Sequence, residues 1–230
     1  MKRFYKDVSI AEENSSFRVL LDGRTLKTQA KATLAMPTRT LAEAVAEEWR
    51  AQGEDIDPPN MFLTRLCFAA IDGVKADRAK VADHALSYGA SDLLCYRAEY
   101  PEELHERQAA TWDPLLDWAA QRHGARLKVA HGIVFHEQPT KALAGLQEAI
   151  DAQDDFALAA LHNAATITGS LVIALALVDG HLTAEEAFSA ATLDDAFQSE
   201  KWGTDEEAQL RLKRLAAELS AAERFLRLLA

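Results

Sequence analysis

The stretch FRVLLDGRTLKT, residues 17–28, decides the fold class of the N-terminal part of this chain. Phe17, Val19 and Leu21 alternate with polar or outward positions, the period of a strand with one buried face. Asp22-Gly23 supplies a hairpin turn, and Leu26 and Thr28 continue the alternation on the return strand. The same period extends back to Phe4 and forward to Met36, which predicts a small antiparallel meander. Pro37-Thr38 ends it. Leu41 to Gln52 then reads as a helix with Leu41, Val45 and Trp49 on one face and Gly53 as its stop. The acidic, proline-bearing stretch Glu54 to Pro59 is the best candidate for a linker.

After Asn60 the apolar spacing changes to that of helices and stays so. Helices are predicted over Met61–Ile71 and Asp77–Tyr88, with Ser91 capping the short segment DLLCYRAE. Pro101 suits the first turn of a helix, where its missing N–H is no loss. Pro114 predicts a kink or a restart with Asp113 as N-cap, and Leu115 and Trp118 point the same way beyond it. Arg126 to Phe135 could be extended around Gly132. Helices resume at Thr140 and at Asp154 or Asp155, and Ile167 to Val178 reads as a buried helix, too short for the ~20 residues that cross a bilayer. Thr183 with Glu186 and Thr204 with Glu207 have the spacing of capping boxes. The expectation is an α+β protein: residues 1–59 as an antiparallel-strand and helix domain, and residues 60–230 as a larger helical domain of orthogonally packed helices.

A formal net charge of −11 argues against nucleic acid and anionic membrane surfaces as partners, since phosphates require clustered Lys and Arg. A basic or amphipathic protein partner is compatible with it. The two cysteines, Cys67 and Cys95, lie in apolar helical segments and read as reduced core thiols, which points to a reducing compartment. No apolar signal run or Arg/Ser-rich leader precedes Arg3, as expected of a bacterial cytoplasmic protein or an already processed one.

Catalytic signatures are missing. No HExxH, GxGxxG or GxxxxGK[ST] occurs, and His131, His136 and Glu137 do not have the ligand spacing of a zinc site. Ser170 lacks a nucleophile elbow, and neither cysteine has a His partner that would make it a thiolate. No cofactor, metal or small-molecule substrate is expected. Among the four tryptophans, Trp49, Trp112 and Trp118 share faces with apolar residues and are assigned to the core; Trp202 lies in a segment joining two helices, where its ring closes a corner or meets a partner.

Several dense segments stand at fixed places: RFYKDVSI from Arg3, LDGRTLKT from Leu21, EEW ending at Trp49, DLLCYRAE from Asp92, WDPLLDWA from Trp112 and LDDAFQSEKWG from Leu193. Their order resembles the ATP synthase assembly chaperones of the ATP12 family. Gln29 departs from that pattern, where the family usually has proline. The resemblance implies a non-enzymatic chaperone that binds the free alpha subunit of F-type ATP synthase until the beta subunit replaces it, in the bacterial cytoplasm or, for a processed eukaryotic member, the mitochondrial matrix. It also places the family's functional acidic position on Asp194, with Asp195 adjacent, so that Asp194, Asp195, Phe197, Gln198 and Trp202 form the expected partner-binding set. The alternative reading is a small acidic metal-dependent enzyme using Asp194, Asp195, Glu206 and Glu207 around a cation.

Overall fold

The computed structural model describes residues 1–132, 134–203 and 205–230. The chain is α+β, with a small antiparallel sheet near the N-terminus and helices through most of the rest. It forms two compact units. One comprises Met1–Arg78 with Asp155–Ala160 and Ala221–Ala230; the other comprises Ala79–Asp154 with Leu161–Ser220.

In the first unit, β1 (Val8–Glu13) and β2 (Ser16–Leu21) pair antiparallel from Val8 opposite Leu21 to Glu13 opposite Ser16. Asn14 and Ser15, with φ of 52° and 59°, make the tight connection. This first hairpin carries no Asn-Gly or Asp-Gly signal. The Asp22-Gly23 turn leads to β3 (Arg24–Thr25), and β4 (Ala35–Met36) pairs with the other end of the same edge of β2. Val19, Leu21, Leu34 and Met36 are buried beneath α1 (Arg39–Arg50), whose Leu41, Val45 and Trp49 form the apposed face. Thr38 is the N-cap of that helix. The N-terminal segment is fastened to its far end: the Tyr5 hydroxyl donates to the Trp49 carbonyl at 2.7 Å, and Arg3 donates to the Gln52 carbonyl at 2.7 Å.

Glu48, also on α1, reaches the start of α2 (Phe62–Phe68). Its carboxylate accepts from the backbone N–H groups of Leu63 and Thr64, both at 2.8 Å, and from the Thr64 hydroxyl at 2.7 Å. Helix α2 begins without a side-chain cap of its own, so Glu48 satisfies donors that would otherwise be orphaned. It continues into a π turn over Ala69–Val74 rather than running as one helix to Ile71.

The second unit contains nearly all of α3 (Arg78–Ala90), then β5 (Tyr96–Arg97), α4 (Glu102–His123), β6 (Ala130–His131), α5 (Thr140–Asp151), most of α6 (Asp155–Thr168), α7 (Leu171–Val178), α8 (Ala184–Ala191), α9 (Leu193–Trp202) and the first part of α10 (Glu206–Leu229). Leu171 to Leu177 are all buried. The apolar run Ile167–Val178 is therefore not one helix: Gly169, at φ +67°, separates α6 from α7, and Ser170 caps the new start. The cap of the DLLCYRAE segment is Asp92, not Ser91. Fully buried, its carboxylate accepts from Leu94 N–H within its own 3-10 turn and from Val172 N–H at the start of α7, each at 3.1 Å. Gly145 is required by proximity, since a Cβ there would lie 2.1 Å from the His123 carbonyl oxygen.

Helix α4 runs through Pro114 without a restart, and Asp113 caps nothing. The missing N–H of Pro114 removes one helical hydrogen bond. Burial of Trp112, Leu115 and Ala119 on both sides of it holds the helix together, while Asp113 turns outward to pair with the buried Arg97 at 2.7 Å. Of the stretch Arg126–Phe135, only Ala130–His131 forms a strand, parallel to β5; Ile133 lies outside the described residues. The Thr183–Glu186 capping box is present in full, and the Thr204–Glu207 pair also lies outside the described residues. Cys67 and Cys95 are free and buried. Trp49 and Trp112 are core residues, but Trp118 is half-buried, stacked on His181 at 5.0 Å between ring centroids with His123 at its edge.

Burial pushes the Asp92 carboxyl up from 3.8 to about 6, although hydrogen bonds from Ser170, Val172, Leu94 and Leu171 oppose the rise. A folded state that holds this proton more tightly than the unfolded chain is favoured at low pH; the contribution is complete below about pH 4 and lost as pH rises through about 6. The stability advantage over Asp92→Asn is therefore expected to be larger at pH 4.5 than at pH 7.5, by about 2 kcal/mol. Urea unfolding of both proteins at the two pH values measures this; a pH-independent difference would show that Asp92 ionises normally.

Candidate partner-binding site

The segment LDDAFQSEKWG becomes α9 and its C-cap, and its side chains divide between packing and exposure. Phe197 is buried, with the cations of Arg107 and Lys201 each 5.2 Å from its ring centroid. These cations do not float free. Arg107 bonds Glu200 at 2.7 Å and Glu103 at 2.8 Å, and Lys201 bonds Glu103 at 2.8 Å. The four charges join the first turns of α4 to the end of α9, and the two cations beside Glu103 hold its carboxyl below the usual range, Lys201 chiefly. Each pair is solvent-exposed and individually weak, but the network fixes the orientation of α9 over Phe197.

Asp194 is half-buried and accepts a hydrogen bond from Gln108 Nε2 at 2.8 Å. Gln108 is itself buried and uses its other end to accept from Ala98 N–H at 2.8 Å. Asp194 thus completes the amide of a core side chain while keeping part of its surface. Asp195 pairs with Arg211 on α10 at 3.3 Å, both side chains about half exposed. Gln198 is exposed. Trp202 is 77% exposed, an extreme value for tryptophan, and Leu210 on α10 is 71% exposed. Of the five residues expected at the site, four therefore reach solvent, and Phe197 lies beneath them as the support.

Glu206 and Glu207 are exposed at the start of α10. Among the described residues no group of three or more His, Cys, Asp or Glu is placed to hold a metal ion, so the carboxylate-cluster reading built on Asp194, Asp195, Glu206 and Glu207 gains no support. Gln108, Arg107 and Glu103 were not singled out by sequence reasoning. Their spacing on α4 carries the ordinary signal of a solvated helix face, and only the position of α9 gives them a role.

The sequence profile of the ATP12 chaperone proteins matches residues 2–120. This chain belongs to the ATP12 chaperone family. Mitochondrial protein atp12 of Schizosaccharomyces pombe is 25% identical over 219 residues, covering 90% of this chain and 75% of the relative. The crystal structure of Atp12 from Paracoccus denitrificans shares 41% identity at a TM-score of 0.92, covering all of this chain and 98% of that one. Atu1473 from Agrobacterium tumefaciens shares 43% identity at a TM-score of 0.95, covering all of this chain and 86% of its own. The ATP12 profile stops short of α9, whereas both solved structures span it. The ATP12 family identity makes this chain an assembly chaperone of the F1-ATPase group. No helix among the described residues is long and apolar enough to cross a membrane.

Asp194→Lys removes the acceptor of a buried amide and is expected to lower stability by about 1–3 kcal/mol. Asp194→Asn retains an oxygen for Gln108 and should stay within about 0.5 kcal/mol of the parent. Urea midpoints of the two variants distinguish these effects, and equal midpoints would show that the Gln108 bond contributes nothing.

Proposed function

We propose that this ATP12-family chain binds the free alpha subunit of F-type ATP synthase and shields its subunit interface until the beta subunit takes that surface. The observation that carries the reading is the exposed indole of Trp202 at the end of α9, the helix that also carries Gln198, Asp194 and Asp195. Tryptophan is among the side chains most enriched at interface hot spots, because it brings a large rigid apolar area at small entropic cost. Here it stands on a helix held in place from below by Phe197 and from the side by the Glu103–Lys201 and Arg107–Glu200 pairs. A preorganised anchor loses little freedom on binding.

Asp194 and Asp195 add carboxylates at the other end of the same helix, which suits a basic group on the client. Phe197 contributes by supporting the helix. Binding of this kind requires no catalysis, cofactor or small-molecule substrate, and the proposal includes none. The buried, unpaired thiols of Cys67 and Cys95 fit a reducing compartment, the bacterial cytoplasm or the mitochondrial matrix.

The purified chain should suppress aggregation of isolated alpha subunit at near-stoichiometric ratio without ATP. Trp202→Ala is expected to weaken that complex by about 2 kcal/mol, roughly thirtyfold, with an unchanged melting temperature. Asp194→Asn, which spares the Gln108 bond, and Asp195→Asn should each weaken it further when combined with Trp202→Ala. Calorimetric titration of the alpha subunit tests this; equal protection of unrelated unfolded proteins, or full affinity in the triple variant, would contradict the proposal.

A further inference from the structure

Large apolar side chains other than Trp202 are also exposed just after the two strands of the β5–β6 ribbon. Tyr100 is 86% exposed, Val134 64% and Phe135 63%, and they follow the two short strands of the β5–β6 ribbon, where Tyr96 pairs with Ala130 and Arg97 with His131. Beside the ribbon is a cavity of about 690 Å³ lined by Ala98, Glu99, Tyr100, Glu102, His105 and His131. The loop that carries Val134 and Phe135 is closed at its base by Gln138, buried, which accepts from Lys128 N–H at 2.8 Å and donates to the Lys128 carbonyl at 3.0 Å. Val134 and Phe135 thus lie in sequence between two residues, Lys128 and Gln138, that are hydrogen-bonded to each other.

The chemistry of the lining selects an occupant. Glu99 and Glu102 contribute only acceptors when ionised. His105 Nδ1 lies 3.2 Å from the Ala98 carbonyl, an oxygen that can only accept, so Nδ1 carries a proton there. Among the described residues, no Lys or Arg lines the cavity. A lining that carries two carboxylates and neither Lys nor Arg is complementary to a donor-rich cation, and the exposed ring of Tyr100 offers the face such a cation favours.

We propose that the cavity between the β5–β6 ribbon and the first turn of α4 is a docking site for a partner-protein segment carrying an arginine or lysine flanked by apolar residues. The cation enters among Glu99, Glu102 and His105, and the flanking side chains lie on Tyr100, Val134 and Phe135. Glu103, the neighbour of Glu102, bonds Lys201, so the first turn of α4 serves both this cavity and the α9 surface. The inference does not depend on the identity of the client.

The test uses the full chain and a short fluorescein-labelled peptide of alternating Leu, Arg and Ser, with a control in which every Arg is Glu. Anisotropy titration should show saturable binding of the basic peptide only, weakened at least about tenfold by Glu99→Lys and by Phe135→Ala, both at exposed positions, and unaffected by Trp202→Ala. Unchanged circular dichroism and melting temperature of the variants separate lost binding from lost folding. Equal binding of both peptides, or affinity unaltered by both variants, would overturn the proposal. So would loss of binding in Trp202→Ala alone, which assigns the peptide to α9. A thermal shift with zinc alone that His105→Ala abolishes would make the cavity a metal site instead, and co-sedimentation with phosphatidylglycerol vesicles that Phe135→Ala abolishes would make the apolar rim a membrane contact. The assay contains no alpha subunit, so its outcome is independent of the client proposal.

Discussion

A buried carboxylate at a helix start is the constraint on which the rest of the larger unit depends. Helix α7 is apolar on every side and fully enclosed over Leu171–Leu177, so its first backbone N–H groups cannot turn to water. Asp92 takes Val172 N–H, and Ser170 takes Ile173 N–H at 3.0 Å. The same Asp92 carboxylate caps its own 3-10 turn, so one side chain fixes the path of the chain into β5 and the start of the central helix together. Its charge is tolerated because the helix terminus is positive and the bonds are satisfied, although burial still favours the proton. Glu48 performs the equivalent task at α2 in the other unit, where burial likewise raises its carboxyl pKa. Each unit therefore begins a buried or half-buried helix with a carboxylate borrowed from an earlier segment.

This explains what most of the dense sequence segments are for. In RFYKDVSI, Arg3 and Tyr5 tie the N-terminus to the end of α1; in EEW, Glu48 caps α2 and Trp49 fills the core; in DLLCYRAE, Asp92 caps and Arg97 spans from the Leu94 carbonyl to Asp113 across the face of Trp112. Trp112 in turn donates to the Ala190 carbonyl at 2.9 Å. These residues face inward and fasten elements distant in sequence. LDDAFQSEKWG differs. It contributes Phe197 to the interior but leaves Gln198 and Trp202 in solvent, with no internal task that demands an exposed indole. Among these segments, exposed aromatic rings stand at two places, Phe4 of RFYKDVSI at 64% and Trp202 of α9 at 77%.

Much of this was legible in the sequence for definite reasons. The Phe17–Thr28 alternation around Asp22-Gly23 and the helical face Leu41, Val45, Trp49 are local patterns, and local patterns survive folding. The Thr183–Glu186 box is equally local and was legible. Features that depend on distant partners were not. Ser91 and Asp92 are both competent caps, and the choice of Asp92 follows from α7, eighty residues later. The break at Gly169 hides inside a continuous apolar run, since apolar content is the same for one helix or two. Pro114 reads as a breaker until Trp112 and Leu115 are seen to be buried on the same helix. Trp118 looks like core from its spacing, yet it is half-buried, stacked on His181 with His123 at its edge. At the candidate site, the resemblance nominates Asp194 and Trp202, while the contacts of α9 with Gln108, Glu103 and Arg107 needed the packing of α9 on α4.

The central claim is that inward-facing family residues build the scaffold and that α9 presents the client surface. Amide hydrogen exchange of the chain alone and in complex with isolated alpha subunit tests it most directly, because protection reports which backbone is covered without any substitution. The account predicts new protection over the C-terminal half of α9 and the following residues around Leu210, with exchange at Tyr5, Trp49 and Asp92 unchanged. Protection confined to the N-terminal sheet with α9 still exchanging freely would contradict it.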